Sequence, residues 1–598
     1  MLFLDLSKML EEIEKEPSRL KMMTLASQIL DKTNKKEVDV LIYLLLGQFG
    51  ATYKEIDFGI AEKTIISALS KATGIDKEKI NKELRKLGDL GLVGEQIISS
   101  KVQKSLFSKK LIVAEVYSSF EKLAKMGGKG SIADKTNILV QMINNANPIE
   151  AKYIIRIAQK NMRLGLANST IIDSLSLKFL KDYKESNLEE FEKLKEDYGE
   201  DVERYLRYKF KEKIESKYNI YPDLGGIAKK LFEKGSNGLR DIGITPFVPV
   251  MPALAERLPS IGKIIEKLGK SIVEPKFDGF RLQCHYDGKE VKLFTRNLED
   301  MSEIFPDAVE TIKKSVKKYP IIFECEAIGY NEKEDKYYPF QVTMKRKRKY
   351  DIPGVSKQIP LRLVVFDIMY LKGSLIDKPL LERKQILENA MTPNKNLIFP
   401  ENIYTDDVPR IQKFFERVLS EGNEGIMLKD PNAIYTAGAR KFAWVKYKKS
   451  YSSRAKDTLD LLVMGYFSGK GQRSKFGIGA LLVGSYNEKE NRYESIAKLG
   501  SGLTEENLES LQKALSEIKE TEKPKEYVSG INPHVWVRPK YVVEVLYDEI
   551  TKSPTHLCAK DEMGGLALRF PRLIKIRSDK NKVQTSTTKE VLELFKSQ

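Results

Sequence analysis

Cysteine and histidine are both scarce in this sequence of 598 residues, which contains three of each. The cysteines, Cys284, Cys325 and Cys558, lie far apart, and no two of them form a CxxC pair. A cysteine-rich zinc site and a disulfide framework are therefore not expected. The three histidines leave little for histidine-based metal or triad chemistry. Unpaired cysteines are typical of a reducing compartment, so we expect a cytoplasmic location.

Long apolar runs and several common motifs are missing as well. No stretch of about 18 uncharged apolar residues occurs, so no membrane span is predicted. The start, MLFLDLSKMLEEIEKEPSRLK, has acidic residues within its apolar pattern, which predicts an amphipathic helix rather than a signal peptide. GxSxG and HExxH are absent, which argues against serine hydrolases and zinc peptidases. The nearest text to a phosphate loop, GYFSGKGQ, is one residue short and has Gly471 where Ser or Thr should hold magnesium.

Basic residues exceed acidic residues in this chain. The 102 lysines and arginines and the 84 aspartates and glutamates give a net charge of +18 and an isoelectric point near 9.2. This surplus favours a polyanionic partner, most simply nucleic acid, although a generic lysine-rich surface would give the same balance. Because single cores stop growing at about 250–300 residues, we expect two to four domains.

Three regions follow one another along the chain. Residues 1 to about 215 have apolar residues at helical spacing, as in EVDVLIYLLLGQFG. Proline and glycine then accumulate, which predicts a linker near 215–250. Strands dominate after it, with a hairpin around Asp287-Gly288, and helices intervene up to about 445, which predicts a mixed α+β domain. The remainder consists mostly of predicted strands, for which a small antiparallel barrel is the simplest arrangement.

Lys276 lies in the segment SIVEPKFDGFR, after an apolar run that is typical of a strand. A KxDG match alone is expected by chance in roughly one chain in ten of this length, and a solvated turn lysine is the ordinary alternative. Six other segments accompany it in order: TRN, ECEAIG, VVFDIMY, EGIMLK, WVKYKK and RFPRLIKIRSDK. Each alone could belong to a core or a surface, but their joint occurrence in this order is hard to obtain by chance.

This set of segments resembles the covalent nucleotidyltransferases, and among them the ATP-dependent DNA ligases of the archaeal and eukaryotic replicative type. The resemblance covers nearly the whole chain, with one mild departure at Phe277, where the family often has tyrosine. It implies a multidomain fold: an all-α DNA-binding domain over residues 1–240, an α+β adenylation domain over 241–445 and an all-β OB-fold barrel over 446–598. The implied activity is the sealing of nicks in double-stranded DNA during replication, repair and recombination, and we expect a monomer.

Lys276 occupies the position of the family's nucleophile, which attacks the α-phosphate of ATP, expels pyrophosphate and holds AMP as a phosphoramidate. A free lysine with a pKa of about 10.4 is neutral only about once in 2,500 molecules at pH 7. We therefore expect neighbouring cations and partial desolvation to lower the pKa of Lys276. The cations expected nearby are Arg281, Lys429 and Lys446.

Three residues are implied at the metal and the base, each with a structural alternative. Glu324 and Glu326 share one strand face, and Glu326 matches a residue that contacts the ribose and a divalent metal, unless both glutamates are simply solvated. Glu424 matches a second metal carboxylate, unless it caps a helix or lies at the surface. Phe366 matches the aromatic residue on which adenine stacks, unless it is core. Mg²⁺ or another divalent metal is thus expected besides the substrate ATP.

Four further residues complete the implied nucleotide site. Glu274 matches the residue beside the adenine edge, and Arg296 matches one near the ribose and the nick phosphate. Arg440 matches an arginine near the nucleotide, and Lys446 matches the lysine that grips the α-phosphate. Two of these have plain alternatives, because Glu274 could be a strand-end carboxylate and Arg440 lies in a polar loop in any case.

The last segment, RFPRLIKIRSDK, resembles the part of the family's barrel that moves over ATP. Arg569 and Arg577 would then contact the β- and γ-phosphates. The alternative is a basic barrel strand that contacts only DNA. A weaker resemblance concerns QKSLFSKK, which is similar to the start of sliding-clamp peptides. Residues 103–107 would bind a sliding clamp or form a plain surface loop.

Other functions stay open beside nick sealing. An RNA ligase or an mRNA-capping enzyme shares the KxDG chemistry, although the long basic N-terminal region argues against both. A non-catalytic DNA-binding protein with an inactive nucleotide fold would not need the near-complete set of motifs. NAD⁺-dependent ligases carry a four-cysteine zinc module, which three cysteines cannot supply.

Overall fold

The structure is a computed structural model that describes residues 1–54, 56–100, 109–128, 130–348, 351–448, 458–469, 473 and 476–597. The chain separates into two compact units, Met1–Tyr447 and Lys448–Gln598. Unit 1 begins with helices and continues with two sheets, whereas strands predominate in unit 2. Among the helices in these ranges, none is long and apolar enough to cross a lipid bilayer.

Helices build the first part of unit 1, as predicted for residues 1 to about 215. They are α1 (Phe3–Lys15), α2 (Arg19–Asp31), α3 (Val38–Leu45), α4 (Glu62–Thr73), α5 (Lys77–Leu87), α6 (Leu90–Ser99), α7 (Val113–Lys125), α8 (Ser131–Asn145), α9 (Pro148–Ala158), α10 (Asn168–Lys178), α11 (Leu180–Ser186), α12 (Leu188–Tyr198), α13 (Val202–Ile220) and α14 (Leu224–Lys234), with 3-10 turns at Thr52–Lys54, Gly199–Asp201 and Gly235–Asp241. A single cluster of buried apolar side chains runs through these helices and is their common core.

The predicted linker near 215–250 is wrong over residues 224–241, because this stretch forms α14 and a 3-10 turn. Asp223 caps the helix, and its Oδ1 accepts a hydrogen bond from the backbone N–H of Gly226 at 2.9 Å. Gly225 permits close packing on α3, since a Cβ there would lie 2.4 Å from Tyr43 Cζ. The proline and glycine pattern thus marks a capped, closely packed helix start rather than a flexible connection.

The second part of unit 1 combines short strands and helices. The strands are β1 (Leu254–Arg257), β2 (Ser271–Lys276), β3 (Phe280–Tyr286), β4 (Val291–Thr295), β5 (Ile321–Asn331), β6 (Lys336–Tyr337), β7 (Leu361–Leu371), β8 (Leu397–Ile398), β9 (Ile403–Thr405), β10 (Gly425–Lys429) and β11 (Arg440–Lys448). The helices are α15 (Ile261–Leu268), α16 (Pro306–Ser315), α17 (Phe340–Thr343), α18 (Ile352–Gln358), α19 (Leu380–Ala390) and α20 (Val408–Ser420), with a 3-10 turn at Met344–Lys347. This arrangement confirms the predicted mixed α+β region.

Two sheets organise this part. In the first sheet the strand order is β1-β11-β10-β2-β9, and in the second it is β4-β3-β5-β7-β8 with β6 beside β5. The hairpin predicted around Asp287-Gly288 is confirmed, since β3 and β4 pair antiparallel from Tyr286 opposite Val291. Side chains of the two sheets meet in one buried cluster that includes Ile322 of β5 and Trp444 of β11. Residues at the facing surfaces of β2, β3 and β5 are therefore close to one another.

Unit 2 is rich in strands, which confirms that part of the sequence prediction. They are β12 (Thr458–Phe467), β13 (Ala480–Asn487), β14 (Arg492–Leu499), β15 (Lys519–Glu520), β16 (Tyr527–Val528), β17 (Val535–Val537), β18 (Val542–Leu546), β19 (Glu549–Ser553), β20 (Cys558–Asp561), β21 (Gly564–Arg569) and β22 (Arg572–Ile576), with helices α21 (Glu505–Ser516) and α22 (Thr588–Ser597) and a 3-10 turn at Lys582–Gln584. Strands β14-β13-β12-β18-β22 pair in that order, all antiparallel. A parallel bridge between Ser501 and Arg572 then joins the residues after β14 to β22.

Candidate active site

Lys276 is the last residue of β2, where that strand pairs antiparallel with the start of β10. It lies opposite Gly425, and the backbone N–H of Glu424 donates to the Lys276 carbonyl at 3.1 Å. This register brings the two side chains together, and Lys276 Nζ forms an ion pair with Glu424 Oε2. The side chains of Lys276 and Glu424 are 23% and 19% exposed, so the amine is sheltered but accessible to a substrate.

The predicted lowering of the Lys276 pKa is wrong in this structure. Burial alone would lower the pKa of the amine. The carboxylates of Glu424, Glu326 and Asp278 outweigh this effect and hold the pKa of Lys276 above its ordinary value. The nucleophile predicted from the sequence therefore lies among anions rather than among cations.

Two of the cations expected beside Lys276 are paired with other carboxylates. Arg281 binds Glu324 through two hydrogen bonds, from Nε to Oε1 at 3.0 Å and from Nη2 to Oε2 at 2.8 Å. Lys429 forms an ion pair with Glu274 at 2.6 Å. Strand alternation predicts which face a side chain takes but not which partner it chooses on that face, which is why the sequence missed these pairs.

Glu326 is on β5, directly opposite Arg281 of β3. Its Oε1 accepts a hydrogen bond from the backbone N–H of Gly279 at 3.1 Å. Burial raises the pKa of Glu326 to about 7, even though Lys276 and Arg281 act in the opposite direction. The carboxylates of Glu326 and Glu424 thus both act on the Lys276 amine.

These two carboxylates are a suitable donor set for a hard divalent cation. Mg²⁺ commonly takes one or two carboxylates from the protein and completes its shell with water and substrate phosphate oxygens. Within the described ranges, no group of three or more Asp, Glu, His or Cys side chains could hold a metal by itself. Glu326 and Glu424 therefore fit a metal that arrives with a phosphate ligand better than a permanently caged one.

Arg281 is fixed on several sides at once. Besides its two bonds to Glu324, its Nη1 donates to the Ala253 carbonyl at 2.7 Å. The Tyr435 hydroxyl donates to Glu324 Oε2 at 2.9 Å and accepts from the Ala253 N–H at 3.0 Å. Arg281, Glu324, Tyr435 and Ala253 thus form a closed ring of hydrogen bonds, which we call the Arg281 ring. The sequence gives no signal for Tyr435, because its partners are far from it along the chain.

Glu274 lies two residues before Lys276 on the same strand. It is buried between two lysines, with Lys429 of β10 at one carboxylate oxygen and Lys384 of α19 at the other. Burial would raise its pKa, but the two lysines hold the pKa of Glu274 below its ordinary value. Lys384 was missed by the sequence analysis, since nothing in the pattern of α19 singles out one lysine of that helix.

Phe366 is half-buried on β7, whereas its neighbours Val365 and Asp367 are fully buried. The Lys429 ammonium lies 4.9 Å from the centre of its ring, and the Arg281 guanidinium lies at 5.6 Å. The ring of Trp444 lies edge-on to it at 5.9 Å. Phe366 is therefore a partly accessible aromatic surface bordered by the Glu274 and Arg281 clusters.

Three other predicted residues lie after β4 or on β11. Arg296 follows β4 and Arg440 begins β11, and both side chains are exposed. Lys446 is half-buried on β11, opposite Arg257 of β1. Because β10 lies between β2 and β11, Lys446 belongs to the same sheet as Lys276 but not to the adjacent strand.

The two arginines predicted to contact the outer phosphates belong to unit 2. Arg569 lies 3.3 Å from Glu549 across the β19–β21 pair. Arg577 contacts Asp460 at 3.0 Å and Asp579 at 2.7 Å. Both cations are thus paired with carboxylates of their own unit. The predicted clamp-binding segment, residues 103–107, lies outside the described residues.

Family models of DNA ligases match three successive parts of the chain. A family model described as "ATP dependent DNA ligase domain" matches residues 252–448. Models described as "DNA ligase N terminus" and "ATP dependent DNA ligase C terminal region" match residues 2–176 and 474–580. The three models follow one another in the order that the sequence analysis predicts.

Relatives of this chain cover its full length. It is 40% identical over 601 residues to a "Probable DNA ligase" from Dictyoglomus turgidum, covering 100% of this chain and 98% of that protein. It is 36% identical over 602 residues to a "DNA ligase" from Sulfolobus acidocaldarius, covering 98% and 96%. The solved structure described as "Pmar-Lig_PreS3" shares the fold, with a TM-score of 0.51, 16% identity and coverage of 96% and 99%. On these matches, the chain belongs to the ATP-dependent DNA ligases, a family of enzymes.

Proposed function

We propose that this ligase seals nicks in duplex DNA with Lys276 as its nucleophile. In the first step Nζ of Lys276 bonds to the α-phosphorus of ATP while the bond to the pyrophosphate oxygen breaks. In the second step AMP passes from Nζ to the 5′-phosphate at the nick, and the amine is regenerated. In the third step the 3′-hydroxyl attacks that phosphate and AMP leaves. The observation that carries the proposal is the sheltered amine at the end of β2, in contact with Glu424.

The protein's own contribution to the first step is the handling of the protons on Nζ. The amine attacks only when it is neutral, and its raised pKa keeps it charged at neutral pH. Glu424 contacts Nζ directly, so its carboxylate takes the first proton and leaves Nζ neutral for attack. A second proton leaves Nζ for solvent once the N–P bond has formed, which gives the phosphoramidate. The ion pair thus also fixes the amine at one place before the reaction.

A divalent metal, most simply Mg²⁺, belongs to the same proposal. Glu326 and Glu424 are the residues that would hold it, as their position around the Lys276 amine suggests. When bound, such an ion would neutralise charge on the triphosphate and on the departing pyrophosphate. Lys446 of β11 and Arg296 after β4 would supply further positive charge to the phosphates, and Arg440 would do so near the nucleotide.

The adenine base would lie against Phe366 with Glu274 at its edge. The partly exposed ring of Phe366 and the carboxylate of Glu274 have a common neighbour, since the Lys429 ammonium contacts both. Arg281, held by the Arg281 ring, borders the same aromatic surface. These contacts support one nucleotide site built from β2, β3, β7 and β10.

We further propose three domains, at residues 1–240, 241–445 and 446–598, with an OB-fold barrel in the last. The support for the barrel is the antiparallel order β14-β13-β12-β18-β22, together with the Ser501–Arg572 bridge that returns β22 towards β14. The helical domain and the barrel would bind DNA mainly through phosphates. Binding to nicked DNA should then weaken steeply as salt rises, and a flat salt response would contradict a phosphate grip.

Mass spectrometry of the intact protein after incubation with ATP and Mg²⁺ tests the proposal. One AMP adduct should appear, and peptide mapping should place it on Lys276. Lys276→Ala should lose both the adduct and nick sealing. Lys270→Ala is a matched control, because Lys270 is an exposed lysine just before β2 whose ammonium lies over Tyr404. An adduct on another residue, or sealing by Lys276→Ala, would overturn the assignment.

Substrate comparisons separate this proposal from the related enzymes. A ligase of this kind should form the adduct from ATP and not from GTP, whereas a capping enzyme prefers GTP. Nicked DNA should be sealed faster than nicked RNA. The reverse preference would indicate an RNA ligase, and DNA binding without any adduct would indicate a non-catalytic protein.

Three further parts of the proposal concern partners and location. Residues 103–107 would bind a sliding clamp, so their deletion should weaken clamp binding and leave clamp-free sealing unchanged. An unchanged affinity would make them a plain surface loop. The enzyme would act as a monomer, which light scattering can check. The proposed cytoplasmic location rests on free thiols, since Cys284 and Cys325 form no disulfide although their sulfurs are 3.6 Å apart.

A further inference from the structure

Glu274 receives a cation from each of two elements. Lys429 approaches one carboxylate oxygen from β10, and Lys384 approaches the other from α19. The side chains of Glu274 and Lys429 are each 3% exposed, and that of Lys384 is 13% exposed. A buried carboxylate with two buried cations is costly to desolvate.

The two lysines differ in what else they contact. The ammonium of Lys429 also lies over the rings of Phe366 and Trp444, both at 4.9 Å. Burial and the nearby Lys384 lower the pKa of Lys429, although Glu274 and Asp367 act in the opposite direction. Lys384 has no aromatic contact of this kind among the described residues, and its ion pair with Glu274 is its distinguishing feature.

An ionised carboxylate can only accept hydrogen bonds, whereas a protonated one can also donate. Adenine carries an amino group at position 6 of the ring, which donates. Guanine and hypoxanthine carry an oxygen at the same position, which accepts. A carboxylate held in its ionised form therefore attracts the first type of base and repels the second.

We propose that Lys384 is a specificity-determining residue, which holds Glu274 as an accepting carboxylate so that the site takes 6-amino purines and rejects 6-oxo purines. The inference rests on the proposed position of the base beside Glu274 and Phe366. Lys384 acts through Glu274, so it is a positioning residue. Glu274 and Lys276 lie two residues apart on the same strand and therefore on the same face of it.

The first test uses the unaltered enzyme and three nucleotides. The rate of adduct formation on Lys276 is measured by intact mass with ATP, inosine triphosphate and purine riboside triphosphate, which has only hydrogen at position 6. The expected order is ATP, then purine riboside triphosphate, then inosine triphosphate, because the last presents an oxygen to the carboxylate. Equal or faster reaction with inosine triphosphate than with purine riboside triphosphate would overturn the proposal.

The second test changes the cation. Lys384→Met should lower the preference for ATP over inosine triphosphate by at least about tenfold, since a carboxylate paired with Lys429 alone keeps one oxygen without a cation and can turn or take up a proton there. Lys384→Arg keeps a cation and should stay within about threefold of the unaltered enzyme. Lys395→Met is the matched control, because Lys395 pairs with Glu332 at the surface.

The outcomes separate this inference from the function on which it rests. If Lys384→Met slows labelling with both nucleotides and leaves their ratio unchanged, Lys384 is only structural and the inference is wrong. If the unaltered enzyme forms no adduct with ATP at all, the proposed nucleophile fails instead. Should Lys384→Met not fold, Lys384→Gln and the nucleotide series decide the question.

Discussion

The strands β2 and β10 carry two lysine–glutamate pairs of opposite orientation. At the open end, Lys276 of β2 pairs with Glu424, the residue before β10. At the buried end, Glu274 of β2 pairs with Lys429 of β10. The open pair has further carboxylates around it, and the buried pair has a second lysine and two aromatic rings.

The pKa values of Lys276 and Lys429 consequently shift in opposite directions. Lys276 has a raised pKa because Glu424, Glu326 and Asp278 outweigh its burial. Lys429 has a lowered pKa because its burial and Lys384 outweigh Glu274. The same pair of residue types on the same pair of strands thus has a raised lysine pKa at one end and a lowered lysine pKa at the other. The charge of the surroundings decides which, rather than burial alone.

The largest effect should come from removing the amine of the open pair. Lys276→Ala should abolish adduct formation and nick sealing, because no other group replaces the nucleophile. Its thermal unfolding midpoint and its affinity for nicked DNA should stay close to those of the unaltered enzyme. If Lys276→Ala lost both folding and activity, Lys276 would be a structural residue like Lys429, and the proposed difference between the two pairs would be wrong.

A second effect should come from breaking the buried pair. Glu274→Gln leaves Lys429 and Lys384 without their carboxylate, and the free energy of unfolding should fall by about 3–5 kcal/mol. Urea denaturation measures this, with Lys395→Met as a control that should change little. A loss below about 1 kcal/mol, as is common for exposed pairs, would remove the difference between the two ends.

Glu424→Gln should reduce the rate of adduct formation strongly and the stability only slightly, the reverse of what is expected for Glu274→Gln. We expect adduct formation to slow by about a hundredfold, because the group that takes the proton is lost. Stability should change by only about 1 kcal/mol, since the pair is partly accessible. Single-turnover labelling and urea denaturation of the same preparation separate the two effects. A large loss of stability with normal labelling would contradict the assignment of Glu424.

The smallest effect concerns the stability of the protein at acidic pH. The pKa of Glu274 lies below its ordinary value of 4.5 in the folded protein, so its stabilising contribution is present above about pH 4.5. That contribution is lost as the pH falls through the lowered pKa. The difference in stability between the unaltered enzyme and Glu274→Gln should therefore shrink below pH 4.5. A difference that stays constant down to acid unfolding would show that the charge of Glu274 is not what matters.

The sequence predicted the secondary-structure elements and the family better than it predicted which side chains contact one another. Apolar spacing and turn residues located the hairpin at Asp287-Gly288 and the strand that ends at Lys276. It mistook α14 for a linker, because the same glycines serve close packing and flexible turns. It also missed Lys384 and Tyr435, since contacts between distant segments depend on how elements pack and leave no local pattern.

The closed ring of hydrogen bonds around Arg281 includes a residue that follows the helical part of the chain. Ala253 joins it through its backbone carbonyl and N–H, and Val250 nearby is bound on both sides by the Gln283 amide at 2.7 and 2.9 Å. Exchange of the Ala253 side chain would leave these bonds in place, whereas inserting one residue between 250 and 253 would shift all of them. The length of this short stretch is thus as much a part of the proposed nucleotide site as any side chain, and engineered insertions should be placed elsewhere.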